Sequence, residues 1–81
     1  MNLKKAKQLF EEIVDICYQT ENPKLIEAVE PIYRDVEASQ DVSQIIVYAE
    51  ELQVVMNEMD IDEDEEDDIQ DIQEKIEMLS E

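Results

Sequence analysis

The absence of glycine constrains the fold more than any other feature of this 81-residue sequence. Tight hairpin turns usually need a residue at positive φ, which glycine or asparagine supplies in characteristic turn dipeptides. The chain contains none of those dipeptides. It is rich in Glu, Leu, Ile, Met, Gln and Ala, residues that suit helices. The sequence therefore predicts an all-α protein.

Apolar residues recur at alternating spacings of three and four along most of the chain, which is the periodicity of amphipathic helices. Asn22 can cap the second helix, and Pro31 within that helix predicts a kink. The short connections favour antiparallel neighbours. We expect one domain, residues 1–81, folded as an antiparallel up-down bundle of three to four helices. The predicted helices are at about 3–19, 22–38 (kinked near Pro31), 42–59 and 62–80.

The third predicted helix is apolar on two faces. At about 100° per residue, Val47 and Val54 fall opposite the main apolar stripe and close to Glu51 and Glu58. This pattern indicates a central helix or a helix that meets another chain. The alternative architecture joins the third and fourth segments into one long helix that dimerises.

Negative charge is concentrated in the second half of the chain. Residues 1–40 carry 8 acids and 5 bases, whereas residues 41–81 carry 16 acids and one base, Lys75. Eight of the nine residues from Asp60 to Asp68 are acids, and we call residues 60–68 the acidic segment. This charge predicts repulsion from nucleic acid and acidic lipid, and attraction to a basic protein surface. We expect no direct nucleic-acid binding and no membrane binding.

Two other interpretations of the acidic segment remain open. Asp60, Asp62 and Asp64 match the first ligand positions of an EF-hand loop, but Glu65 stands where that loop needs glycine, so only weak Ca²⁺ or Mg²⁺ association is expected. If the segment is helical, its charge density is about one per 1.7 Å, comparable to duplex DNA. The segment could therefore mimic nucleic acid and inhibit a DNA- or RNA-binding protein.

Enzymatic chemistry has little support in the sequence. There is no histidine to shuttle protons near neutral pH, and no glycine to build a phosphate-binding loop. Cys17 lies on the apolar stripe of the first helix, which favours a core position over a nucleophilic role. We expect a protein without enzymatic activity or cofactor. The single cysteine, and the lack of a long apolar stretch, predict a cytoplasmic location.

These observations predict a small acidic interaction module for a basic or amphipathic protein partner, with self-association as a further possibility. The predicted partner-binding residues combine the outer face of the third helix with the acidic segment. They are Val47, Glu51, Val54, Glu58, Asp60, Asp62, Glu63, Asp64, Glu65, Glu66, Asp67 and Asp68.

Overall fold

A computed structural model describes residues 2–59, 61 and 63–80. Four α-helices make up nearly all of this part of the chain, and no strand occurs in it. They are α1 (Leu3–Gln19), α2 (Pro23–Ala38), α3 (Val42–Glu58) and α4 (Glu66–Ser80), with a 3₁₀ turn at Glu63–Glu65. The prediction of a small all-α helical bundle is confirmed.

Each helix packs against its neighbours in the chain, and α1 also packs against α4, so the four helices close into a ring with α1 diagonal to α3. One continuous hydrophobic core fills the centre. Its largest fully buried side chains include Phe10, Ile13, Leu25, Leu52 and Ile72. The molecule measures 34 × 22 × 19 Å. Helices of 15 to 17 residues, each about 22–26 Å long, therefore run side by side along the long axis.

Asparagine and aspartate side chains begin the first three helices. Asn22 Oδ1 accepts hydrogen bonds from the backbone N–H groups of Lys24 (3.0 Å) and Leu25 (3.4 Å), so the predicted cap of α2 is confirmed. Asp41 Oδ1 accepts from Ser43 N at 2.9 Å and starts α3 in the same way. Asn2 caps α1, which the sequence analysis did not anticipate.

Helix α2 continues through Pro31, which is exposed. Proline removes one backbone hydrogen bond from a helix interior. On α2 the apolar period carries across the proline, and Val29 and Val36 are both buried in the core. Packing of that face holds the helix together on both sides of Pro31.

The third and fourth helices are separate, so the alternative of one long dimerising helix is wrong. Helix α3 ends at Glu58, and Met59 adopts an extended conformation with ψ of 148°. The predicted fourth helix begins later than expected, at Glu66, and the preceding 3₁₀ turn is a common way to start a helix. The first buried residue of α4 is Ile69, and the helix packs from there onwards.

Candidate interaction surface

Two valines lie on the outer side of α3. Its inner side buries Ile45, Ala49, Leu52 and Met56. Val47 and Val54 point away from that core and are 52% and 55% exposed. They are seven positions apart in the sequence, which places them nearly in line and about 10 Å apart along the helix. We call Val47 and Val54 the valine seam, and the predicted outward orientation of both residues is confirmed.

Carboxylates flank the valine seam. Glu50, Glu51 and Glu58 are all exposed on the same side of α3. On a helical wheel they lie within about 60° of Val47. The sequence of α3 contains no Lys or Arg, so no base on this helix compensates their charge. The outer side of α3 is therefore an apolar strip with acidic borders.

The acidic segment follows at the same end of the bundle, because it connects the end of α3 to the start of α4. Glu63, Asp64, Glu66 and Asp67 are exposed, whereas Glu65 and Asp68 are partly buried. Two further predicted site residues, Asp60 and Asp62, lie outside the described part of the chain. The dipole of α4 favours carboxylates in its first turn, where Glu66, Asp67 and Asp68 stand.

One contact ties the acidic segment to the body of the bundle. Asn22 Nδ2, at the start of α2, donates a hydrogen bond of 3.2 Å to Glu65 Oε2. Ile61 packs partly buried against the core on one side of the 3₁₀ turn, and Ile69 is buried on the other. The segment is therefore held in place while the carboxylates of Glu63, Asp64, Glu66 and Asp67 face solvent. Asn22 was not predicted as a contact of this segment, because a local sequence pattern does not indicate a partner 43 positions away.

Most of the predicted site residues lie at one end of the bundle, but Val47 does not. Glu58 is two positions before the acidic segment, and Val54 lies one turn before Glu58. Val47 lies about 16 Å along the axis from Glu58, in the other half of α3. The acidic segment and the C-terminal half of α3 thus form a single acidic end of the molecule, and the valine seam extends from it.

Lys75, the one base among residues 41–81, is directed away from this surface. Lys75 Nζ on α4 lies 3.4 Å from Glu12 Oε2 on α1. Helix α1 is diagonal to α3. This is the one ion pair between residues that the structure describes. Lys75 therefore forms its ion pair with α1 and not with a carboxylate of α3.

An open depression of about 530 Å³ adjoins the start of α4. Its lining combines two isoleucines with carboxylates and amides: Ile61, Ile69, Glu66, Asp67, Gln70 and Gln73. Gln70 and Gln73 were not among the predicted site residues, because neutral polar residues on an amphipathic helix carry no distinctive signal. The depression therefore lies at the acidic end of the molecule, beside Glu66 and Asp67.

Two ionisable side chains lie in the core or packed against it, Cys17 and Tyr33. The Cys17 thiol is fully buried, and burial raises its pKa to about 12. The predicted core position of Cys17 is thus confirmed. Tyr33 stacks on Phe10, with ring centroids 6.3 Å apart. Hydrogen bonding to the Glu37 carboxylate, and then desolvation, raises the pKa of Tyr33 to about 12.

Among the described residues, no group of three or more His, Cys, Asp or Glu side chains is placed to hold a metal ion. The predicted weak cation site stays untested, because it includes Asp60 and Asp62. No helix within the described ranges is both long and apolar enough to cross a membrane.

Comparisons with family models, with curated proteins and with solved structures find no match to this chain.

Proposed function

We propose that this protein is a non-enzymatic interaction module that binds a basic protein partner through its acidic end. The proposal is carried by one observation: Glu63, Asp64, Glu66 and Asp67 expose their carboxylates a few residues after the end of α3, a helix that contains no Lys or Arg. The partner-binding surface comprises the acidic segment together with Glu58, Val54, Glu51 and the more distant Val47.

The field of this surface supports a basic partner. Residues 41–81 carry 16 acids and one base, and that base is paired with α1. Clustered charge of one sign attracts oppositely charged surfaces and accelerates their association. The same field repels nucleic acid and anionic lipid, so we assign neither as a direct ligand.

The arrangement of the segment also supports binding. Asn22 fixes Glu65, and Ile69 anchors the start of α4 in the core. The exposed carboxylates therefore sit on a positioned backbone instead of a free tail. Pre-organised charges lose less conformational entropy when a partner binds.

The test uses a decalysine peptide as a basic probe and measures its binding by calorimetry at low and high salt. One variant neutralises the acidic segment with four substitutions: Glu63→Gln, Asp64→Asn, Glu66→Gln and Asp67→Asn. A matched control neutralises four exposed acids on α1 and α2: Glu11→Gln, Asp15→Asn, Glu27→Gln and Asp35→Asn. Both variants have the same net charge, so a difference between them reports where the peptide binds.

We expect the acidic-segment variant to lose more affinity than the control, and salt to weaken binding to the unmodified protein. Equal losses in the two variants would contradict a localised site. Affinity purification at two salt concentrations, followed by competition with duplex DNA, would then reveal whether the captured partner is itself a nucleic-acid-binding protein. A partner retained equally well at both salt concentrations would argue against the charge-based proposal.

A further inference from the structure

The valine seam indicates what shape of partner the acidic end binds, in addition to the sign of the partner's charge. Val47 and Val54 are each more than half exposed, although their helix buries four other apolar side chains in the core. The two valines are aligned and have acidic neighbours on both borders. We infer that the seam binds an amphipathic basic helix of the partner, whose apolar residues cover the valines and whose Lys or Arg side chains pair with Glu51 and Glu58. This inference rests on the proposed function.

The spacing of the seam fits a helix better than a strand. Val47 and Val54 are about 10 Å apart along α3. A partner helix presents residues seven apart on one face at the same separation of about 10 Å. An extended strand presents residues on one face at about 6.6 and 13 Å, and neither spacing matches. A helix packed along α3 can therefore place an apolar side chain on each valine.

The charges around the seam favour a basic partner over a second copy of this chain. Two α3 helices packed seam to seam would bring Glu51 and Glu58 of both copies together. Neither α3 has a base to offset them, and each chain carries a net charge of −18. Like charges across an interface suppress pairing, whereas complementary charges specify it. Charge complementarity thus selects the basic helix as occupant.

The probes are two synthetic peptides of about 18 residues, long enough for a helix of roughly 27 Å. Both consist of leucine and lysine in the same proportions. In one peptide the leucines recur at spacings of three and four and form one face, and in the other the same residues are scattered around the helix. Because the two peptides carry the same charge, the ratio of their affinities measures how much the apolar face contributes to binding.

The seam variant is Val47→Ser with Val54→Ser, and its control is Met78→Ser, which removes an apolar side chain that is 49% exposed on α4. We expect the unmodified protein and the control to prefer the amphipathic peptide about tenfold, and the seam variant to lose most of that preference. Circular dichroism and thermal melting verify that the variants remain folded.

A second pair of variants tests the flanking charges. Glu51→Gln with Glu58→Gln removes two charges beside the seam, and Glu11→Gln with Asp15→Asn removes two exposed charges from α1, across the bundle. Affinity for the amphipathic peptide should fall more in the first variant than in the second, although their net charges are equal.

The remaining outcomes separate this inference from the proposed function. If both peptides bind every variant equally, the valine seam is not a helix-binding site, while the acidic end still binds basic ligands. If sedimentation shows a dimer that the seam variant dissociates, the occupant is a second copy and the inference is overturned. If neither peptide nor decalysine binds the unmodified protein, the proposed function fails together with the inference.

Discussion

Lys75 on α4 and Glu12 on α1 form an ion pair of 3.4 Å in which both side chains remain solvated, with 28% and 59% of their surfaces exposed. Exposed pairs of this kind contribute little by themselves, typically about 0.2–1 kcal/mol. Here the pair lies in the field of a chain with net charge −18. The two partners therefore differ in what their removal does to the rest of the molecule.

We predict that Lys75→Gln lowers the free energy of unfolding more than Glu12→Gln does. The lysine change removes the pair and raises the net negative charge, whereas the glutamate change removes the pair and reduces the repulsion. The difference should be up to about 1 kcal/mol at low salt and should shrink at 1 M salt, where the Debye length is about 3 Å. Urea unfolding at both salt concentrations measures it. Equal losses of unfolding free energy in the two variants at low salt would show that the net charge of the chain does not contribute to the difference.

The turn between α1 and α2 shows what the lack of glycine costs the chain. Glu21 adopts a φ of 57°, in the left-handed region that glycine ordinarily occupies at the end of a helix. Its N–H donates to the Tyr18 carbonyl at 3.2 Å, so the strained residue also closes the helix end. For a residue with a Cβ, this conformation costs about 1–2 kcal/mol.

We predict that Glu21→Gly stabilises the protein by up to about 1 kcal/mol, because relief of this strain exceeds the added entropy of the unfolded glycine. Glu21→Gln is the matched control, since it removes the same charge and keeps the Cβ. Thermal unfolding should give a higher melting temperature for the glycine variant than for the glutamine variant. If the glycine variant were no more stable than the glutamine variant, backbone strain at Glu21 would not measurably destabilise the folded protein.

Helix α3 offers a direct comparison of its two apolar faces. Leu52 is fully buried, and Val54, two residues later, is 55% exposed. Leu52→Ala should cost about 2–5 kcal/mol through lost burial and a cavity, which is a large share of the stability of a small domain. Val54→Ala should change stability by less than about 0.5 kcal/mol. Chemical unfolding compares them, and a large loss in Val54→Ala would indicate that the valine seam is covered, for instance by a second copy.

Periodicity predicted the helices and the direction of each side chain, because the rotation per residue is a local property of the backbone. That is why Val47 and Val54 could be placed on the outer face of α3 from the sequence. The contact of Asn22 with Glu65 and that of Lys75 with Glu12 could not, since each depends on how two helices are rotated against each other. The positive φ of Glu21 was equally hidden, because the sequence predicts a turn there without specifying which residue adopts it. The partner-binding role of the acidic segment stays a prediction.

Burial of Cys17 makes stability depend on pH in the alkaline range. The folded protein holds the thiol pKa at about 12, compared with 9.0 for an unperturbed cysteine. Below pH 9 both the folded and the unfolded chain keep the proton, so the contribution of the thiol to stability is fully present. Between pH 9 and 12 the unfolded chain loses a proton that the folded chain retains. Stability therefore falls as the pH rises through this window.

The loss should approach about 1.4 kcal/mol per pH unit above 9, as expected for one proton. Cys17→Ala removes this dependence, although the smaller side chain lowers stability at neutral pH. Urea unfolding from about pH 8 to 10 separates the cysteine from Tyr33, whose pKa is raised from 10.0 and which contributes only at higher pH. A steeper decline in the unmodified protein than in the alanine variant is the expected result. If stability declined in parallel in the two proteins, the thiol would ionise as readily in the folded chain as in the unfolded one. That result would contradict the burial of Cys17 in the core.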